Sequence, residues 1–294
     1  MDVFASQVFA GLSLGSVLLL AALGLALTFG QLGVINMAHG EFLMIGAYTA
    51  YVVQRVVTDA GISFLIALPL AAVIAGILGV ALEWAVISRM RGRPLDTLLV
   101  TYGVALLLQQ LARDIFGAPN IDVRAPDWLS GPIVIGGLSM PKTRLMILAL
   151  SIGCVAAVAL LLTRTPMGRR IRAVVGNRDL AECSGIATAR VDRLTFFLGS
   201  ALAGIAGVAL TLLGSVGPTV GQNYIVDAFL VVVVGGIGRV WGAVLAAMAL
   251  GLLQSFLQLW SDASLAKVLV LLAVVAFLQI RPQGLFTVRT RSLA

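Results

Sequence analysis

The chain has 294 residues, of which 60% are hydrophobic and 11% are charged, with a net charge of +7 and a mean hydropathy of +1.05. Soluble domains carry about 25% charged residues, so this composition excludes a soluble globular protein and predicts a membrane protein with several spans. The basic residues, 18 Arg and 2 Lys, lie in short segments between apolar runs. In a nucleic-acid-binding protein they would spread over a folded surface, so nucleic acid is not an expected partner.

The apolar runs predict an all-α polytopic integral membrane protein, with residues 1–294 forming a single transmembrane domain. A helix needs about 20 residues to cross a bilayer core of about 30 Å. Counting two interrupted elements as full spans gives nine transmembrane helices, and counting one of them as re-entrant gives eight. The predicted segments are 7–29, a second segment that ends near residue 57, 62–87, 95–116, 144–163, 194–214, 229–234, 242–260 and 265–280.

The first interruption is the stretch GQLGVINMAHGEFLMIGAY, residues 30–48, which follows the first apolar run. Irregular backbone at membrane depth persists only where it is buried in protein or lines a cavity. Polar groups in such a segment indicate a solute path or a hinge. Asn36, His39, Gly40 and Glu41 are therefore predicted to line or gate a substrate path.

Three of these side chains also have a structural interpretation. His39, the only histidine of the chain, could hold a helix end by donating to a backbone carbonyl instead of lining the path. Asn36 could cap a half-helix, and Glu41 just after a helix start would interact favourably with the helix dipole. A proton relay usually needs several titratable partners in the membrane, so it is the least favoured interpretation of His39.

The second interruption runs from Gly214 to Gly242 and includes the sequences GSVGPTVGQNYIVD and GGIG. Glycine clusters within an apolar span cost helix stability, so GGIG predicts a hinge or a re-entrant turn. Together with the first interruption, this pattern predicts an inverted repeat with the path at the junction of the broken elements. The predicted path and gating residues of this region are Gln222, Asn223, Tyr224, Asp227, Gly235, Gly236 and Gly238.

The distribution of basic residues predicts the orientation of the chain. Cytoplasmic loops of membrane proteins are enriched in Lys and Arg. Thirteen of the twenty basic residues lie in the loop around residues 89–93, in residues 164–193 and in the segment from Arg281 to the C-terminus. These three segments are expected in the cytoplasm, which predicts an outside N-terminus and a cytoplasmic C-terminus.

Residues 164–193 form the longest charged stretch of the chain. Asp179 can cap a short helix that has Glu182 in its first turn, and Gly185 is a suitable stop signal. A short helix that faces the cytoplasm between two spans is suited to docking a partner protein. The alternative is a solvated basic loop whose only role is to orient the chain.

The sequence gives little support for catalysis or for a metal site. Neither Lys142 nor Lys267 follows a P-loop pattern, and no HExxH sequence occurs. With one histidine and two cysteines in different surroundings, no metal site is expected. The chain is therefore predicted to be a transport protein, not an enzyme, without a cofactor of its own.

Several stretches resemble one family of transport proteins over nearly the whole chain. Residues 35–41, INMAHGE, resemble the NxAHGE signature of the LivH-like permeases of branched-chain amino acid ABC transporters. The resemblance continues through GRRIRAVVGNRDLAECSG, GGIGRVWGA and RPQGLF. Within that family, VGPTVGQNYIVDAFLVVVVGGIGRVWG and GVINMAHGEFLMIGAYTAYVVQ are most similar to the urea transporter permeases of the UrtB type.

The resemblance implies the permease subunit of an ATP-driven importer that works by alternating access in the bacterial inner membrane. The implied partners are a second, related permease, two cytoplasmic ATPases that carry ATP and Mg²⁺, and a periplasmic or lipid-anchored substrate-binding protein. The ATPases are expected to dock on the short helix within residues 164–193. The coupling residues implied by the resemblance are Arg178, Asp179, Glu182 and Gly185.

The expected substrate is urea or a close small amide, and the alternative is a branched-chain amino acid. Urea is neutral and needs hydrogen-bonding groups, which the polar residues of the two interruptions supply. An amino acid needs a partner for each of its charges and space for its apolar side chain, and the sequence shows few candidate charges in the path. A further alternative is a stand-alone channel or a secondary carrier.

Overall fold

The computed structural model describes residues 2–90, 92–135 and 138–286. Within these ranges, seven helices are long and apolar enough to cross a membrane, and a shorter apolar helix, Val220–Gly235, accompanies them. This architecture confirms the predicted all-α polytopic fold. Arg91 and residues 287–294, which carry part of the predicted cytoplasmic charge, lie outside the described ranges.

The described ranges contain eleven α-helices, two 3₁₀-helices, Ile87–Arg89 and Asp127–Leu129, and one β-hairpin. Each of the nine predicted segments corresponds to a helix, although α8 and α9 begin earlier than predicted. The elements are α1 (Asp2–Leu32), α2 (His39–Val56), α3 (Ala60–Ala85), α4 (Pro94–Phe116), β1 (Pro132–Ile135), β2 (Leu138–Pro141), α5 (Lys142–Arg164), α6 (Pro166–Gly176), α7 (Arg178–Cys183), α8 (Thr188–Leu210), α9 (Val220–Gly235), α10 (Val240–Leu257) and α11 (Ala263–Ile280).

Local sequence explains where several helices begin and end. Asp59 caps α3 by accepting a hydrogen bond from a backbone N–H of its first turn at 2.7 Å. Thr165 caps α6 in the same way at 3.0 Å, and the following Pro166 occupies the first helical position, where its missing N–H is not needed. α4 ends at Gly117, whose φ of 92° suits glycine.

Some elements differ from the sequence-based expectation. The β-hairpin lies between α4 and α5, at the end of these helices that the predicted orientation places outside, and α6 occupies the first part of the predicted cytoplasmic stretch 164–193. α7 is the predicted short helix, but its cap is Asn177, whose Oδ1 accepts from the backbone N–H of Leu180 at 3.0 Å. The prediction that Asp179 caps this helix was therefore wrong, because an amide two residues earlier already satisfies the first turn.

The contacts between helices are consistent with the predicted inverted repeat when α1–α4 are paired with α8–α11. α3 packs along α8, where Gly79 permits close approach. α10 packs along α1, with Gly251 against the backbone of Gly15. α1 and α8 run in opposite directions, because Gln31 at the end of α1 contacts Asp192 at the start of α8 and Gly24 packs against Gly199 further along both helices.

α1, α2 and α8 form the buried centre of the molecule, and α4, α5 and α11 form its periphery. The peripheral helices expose large apolar side chains, a pattern typical of surfaces that contact lipid chains or a second subunit. On α4 and α11 these side chains include Leu99, Leu106, Leu107, Leu265 and Leu272.

Candidate functional site

The two interrupted helices, α2 and α9, begin next to each other inside the molecule. α2 starts at His39 beside Ala21, which precedes the end of α1 at Leu32 by 11 residues. At 1.5 Å per residue, Ala21 lies about 16 Å before the end of α1. The segment between Leu32 and His39 therefore runs back along α1 by this distance without helical structure, and α2 begins beside the middle of α1. A Cβ added to Gly221 would lie 2.2 Å from the carbonyl oxygen of Gly40. The two half-helix starts therefore cross at these glycines, which we call the junction.

Side-chain hydrogen bonds hold the irregular backbone between α1 and α2. Gly33, with φ of 63°, turns the chain at the end of α1. Asn36 is buried, and its Oδ1 accepts from the backbone N–H of Ala38 at 3.1 Å. Thr101 of α4 accepts from the backbone N–H of Met37, also at 3.1 Å. Asn36 therefore orders the turn that leads into α2, rather than capping the helix itself.

The His39 side chain is fully buried at the junction. Its Nε2 lies 3.2 Å from the carbonyl oxygen of Ala21 and must donate, because a carbonyl oxygen only accepts. The ring packs edge-on against Phe42, with the ring centroids 6.3 Å apart. Donation to a backbone carbonyl is the contact that the structural interpretation of His39 predicts.

We expect His39→Ala to lower the amount of assembled protein in the membrane and the transport rate in equal proportion. The substitution leaves a cavity at a fully buried position, and comparable truncations cost about 2–5 kcal/mol. Immunoblots of membranes and uptake assays on the same cells measure the two quantities. His39→Gln, which retains an amide donor, is the matched control and should recover most of both. Normal abundance with lost transport would instead favour the path-lining interpretation.

Glu41 lies in the first turn of α2 and is buried. A carboxyl group near a helix start is stabilised by the helix dipole, as the structural interpretation predicts. Its Oε1 accepts from Nε2 of Gln109 on α4 at 2.8 Å. Oε2 has no hydrogen-bond partner within the described ranges. Buried acceptors are normally paired. This oxygen therefore remains available as a hydrogen-bond acceptor beside the junction.

A second group of predicted site residues lines a cavity between α1, α9, α10 and α11. The cavity has a volume of about 280 Å³. Nζ of Lys267 on α11 lies 2.8 Å from Oδ2 of Asp227 on α9. Gln222, in the first turn of α9, is exposed. The polar lining residues of the cavity are Asn223, Tyr224, Asp227, Gln254 and Lys267.

The GGIG sequence forms the turn between α9 and α10. Gly236 and Gly238 have φ values of 97° and 78°, which glycine adopts readily. Gly235 packs against the start of α10, and Gly238 packs against Gly30 near the end of α1. The C-terminal RPQGLF segment lies on this turn, where the backbone N–H of Leu285 donates to the end of α9 at 2.8 Å.

The predicted path residues therefore occupy three locations instead of one. The residues of the first interruption meet Gly221 at the junction. Asn223, Tyr224 and Asp227 face the cavity beside α11. Gly235 ends α9, and at 1.5 Å per residue it lies about 20 Å from Gln222 along the helix. The second interruption is separated in this way because α9 is a continuous helix of 16 residues.

α7 is linked to the start of α8 by charged side chains. Arg178 lies 2.9 Å from Oδ2 of Asp192 and 3.4 Å from Oε1 of Glu182. Burial opposes the charge of Arg178, but the hydrogen bond to Asp192 and the charges of Asp192 and Glu182 outweigh burial and raise the pKa of the guanidinium. Gly185 has φ of 78° just after the helix end, as predicted for a stop, and Asp179 is exposed.

Asp192 extends this network to α1. It is fully buried, and its Oδ1 accepts from Nε2 of Gln31 at 2.9 Å. One carboxylate therefore connects α7, the start of α8 and the end of α1. Sequence reasoning missed this residue because its partner on α1 is 161 positions away.

Comparisons with known proteins identify the family of the chain. A family model described as "Branched-chain amino acid transport system / permease component" matches residues 7–278. The chain belongs to this permease family. The LivH permeases of Salmonella typhimurium and Escherichia coli K12 are each 30% identical over 295 residues, which cover 96% of this chain and 95% of theirs. The BraD permease of Pseudomonas aeruginosa is 29% identical over 265 residues, or 86% of each chain. No solved structure matches this permease.

These relatives agree with the LivH-like resemblance drawn from INMAHGE, GGIG and RPQGLF. These relatives are named as permease proteins of transport systems, which is consistent with the prediction that the chain is a transport subunit. The matches do not support the finer assignment to urea permeases and favour the branched-chain amino acid alternative. The permease residues that sequence reasoning missed are Gln109, Asp192, Gln254 and, as a site residue, Lys267.

Proposed function

We propose that this permease is the membrane-spanning subunit of an ATP-driven importer for branched-chain amino acids in the bacterial inner membrane. The observation that carries the proposal is the similarity to LivH and BraD permeases over most of both chains. Urea is the less favoured substrate, because the relatives that match the chain over most of its length are named for branched-chain amino acid transport.

The junction supports a mechanism of alternating access. Two half-helices that start at membrane depth, from opposite copies of an inverted repeat, are typical of transporters that rock one bundle against another. Gly40 and Gly221 leave no side chain between the crossing backbones, so a small displacement of α9 relative to α2 opens space beside Glu41. Asn36, His39 and Glu41 are proposed to shape that space on the α2 side.

The predicted orientation assigns the partners to surfaces of the permease. With the N-terminus outside, α6 and α7 face the cytoplasm, where two ATPases would dock. The α6 surface is basic, with Arg169, Arg170 and Arg172, and Asp179 and Leu180 are exposed on α7. The outer hairpin lies on the side from which a binding protein would deliver substrate. The exposed apolar side chains of the peripheral helices suit lipid and a second, related permease.

We expect loss of this chain to abolish high-affinity uptake of leucine and to leave uptake of urea unchanged. The experiment compares a deletion strain with the same strain carrying the permease on a plasmid, using labelled leucine and labelled urea. Proteins that co-purify with a tagged permease should include two ATPases, a second permease and a binding protein. Urea uptake that depends on the chain, with normal leucine uptake, would overturn the substrate assignment.

A further inference from the structure

Asp227 and Lys267 lie where a polar cavity meets a larger apolar one. The polar cavity has a volume of about 280 Å³, and the apolar cavity has a volume of about 350 Å³. Leu18, Asp227, Gln254 and Lys267 line both, so the two spaces adjoin at the ion pair. Beyond the pair, the apolar cavity is lined mainly by Leu230, Leu250, Val270 and Leu271.

We infer that this composite cavity binds the zwitterion of a branched-chain amino acid, with Asp227 holding the ammonium group and Lys267 the carboxylate. The two protein charges stand 2.8 Å apart and present opposite signs side by side. An α-amino acid carries its own opposite charges on neighbouring atoms, so in the antiparallel orientation each charge of the substrate faces its complement. The inference rests on the proposed function and names its substrate site.

The apolar cavity gives the inferred site its preference for branched aliphatic side chains. With its charges at the ion pair, a bound leucine extends its side chain between Leu230, Leu250 and Leu271. Burying such a side chain contributes about 1.5–3 kcal/mol relative to water. Urea has neither charge nor apolar group, so it would use neither feature of the site.

Another cavity of the chain supplies a comparison for this pair. It lies between α2, α3 and α4 and has a similar volume of about 320 Å³. Its lining includes Leu70, Ile74 and Leu108, and it contains no acidic or basic side chain. The helices of this chain therefore form an apolar cavity of this size without an ion pair, so the apolar cavity beside Asp227 and Lys267 does not by itself account for their two charges.

The chain itself covers the ion pair only in part, since the side chains of Asp227 and Lys267 are 20% and 52% exposed. Both side chains also line the polar cavity. When water fills that cavity, an ion pair of this kind contributes only about 0–1 kcal/mol to stability. Exchanging the direct contact for two contacts with a zwitterion then requires little free energy, and the charges do not have to be buried without partners.

We expect Asp227→Asn and Lys267→Met each to reduce leucine uptake at least tenfold at equal abundance in the membrane. Leucine uptake by the deletion strain carrying the unaltered permease is measured first. If this strain takes up no leucine, the proposed function is refuted, and not the inferred site. Lys142→Met, which removes the other lysine of the chain at the start of α5, is the matched control and should retain uptake within twofold.

The exchange variant Asp227→Lys with Lys267→Asp separates binding from a structural role. It retains an ion pair between α9 and α11 but reverses its direction, so it should assemble normally and still take up leucine at less than one fifth of the normal rate. Leucine uptake by this variant at half of the normal rate or more would overturn the inference, because the ion pair would then serve only to hold α11 against α9.

A protection assay leaves the ion pair intact and applies even if the charge variants fail to assemble. Ser264→Cys lies on the wall of the apolar cavity, and Cys183→Ser removes the exposed natural thiol. In nanodiscs containing the purified complex, leucine at 10 mM should slow labelling of this cysteine by a maleimide at least threefold, and urea at 10 mM should not. Equal labelling rates with and without leucine would overturn the inference.

Discussion

Gly221→Ala is expected to reduce leucine uptake about tenfold, and Gly221→Val is expected to abolish it. A Cβ on Gly221 would lie 2.2 Å from the carbonyl oxygen and 2.4 Å from the carbonyl carbon of Gly40. Both atoms belong to backbone, which cannot swing aside as a flexible side chain can. The two half-helix starts must therefore separate, and overpacking of this kind costs about 1–3 kcal/mol or more. Valine requires a larger separation than alanine. Comparing the two substitutions therefore tests whether the half-helix starts cross at Gly221.

Gly153→Ala provides the control for this prediction. Gly153 lies in α5, and no atom comes within 4 Å of a Cβ added there. Alanine is favoured over glycine in a helix by about 0.5–1 kcal/mol, so this variant should keep normal uptake and thermal stability. Fluorescence-detected size-exclusion chromatography after heating measures stability, and labelled leucine measures uptake. If Gly221→Ala behaved like Gly153→Ala, α2 and α9 would not cross at the junction in the working transporter.

The sequence was sufficient to predict where the helices run and where they are interrupted. Long apolar runs and the polar insertion after Gly30 are local signals, because a bilayer requires about 20 apolar residues per span. The glycines at 236 and 238 were also informative, since their positive φ values form the turn that the sequence pattern predicted. The N-terminal ends were less accurate, as in α8, where the charged residues before residue 194 belong to the helix.

The partners within each site could not be predicted, because they come from distant parts of the chain. Glu41 meets Gln109 across 68 positions, and Gln31 meets Asp192 across 161. No periodicity or spacing encodes such contacts. Lys267 did carry a usable signal, since an ionisable residue within an apolar span is a functional candidate by default. Because Lys267 was weighed only as a P-loop lysine, it was not counted among the charges of the path, and the path was predicted to have too few charges for an amino acid.

Asp192→Asn is expected to lower leucine uptake at least fivefold while ATP hydrolysis by the assembled transporter continues. The substitution keeps the size of the side chain but removes the charge that holds Arg178 at 2.9 Å. Removing one partner of a fully buried pair costs about 3–5 kcal/mol, and the partial exposure of Arg178 reduces that cost. Since Asp192 links α7 to the end of α1, its loss should weaken the transmission of a movement of α7 to α1.

Two further variants distinguish transmission from simple loss of structure. Asp96→Asn disrupts an exposed pair with Arg93 at 3.8 Å at the start of α4, and such pairs contribute only about 0–1 kcal/mol. It should keep uptake within twofold. Gln31→Met removes only the contact of Asp192 with α1 and should lower the uptake per ATP hydrolysed without changing the ATPase rate. If Gln31→Met transported normally, the signal from the ATPases would reach the half-helices through other contacts, such as those of α8, where Gly199 packs against Gly24 of α1.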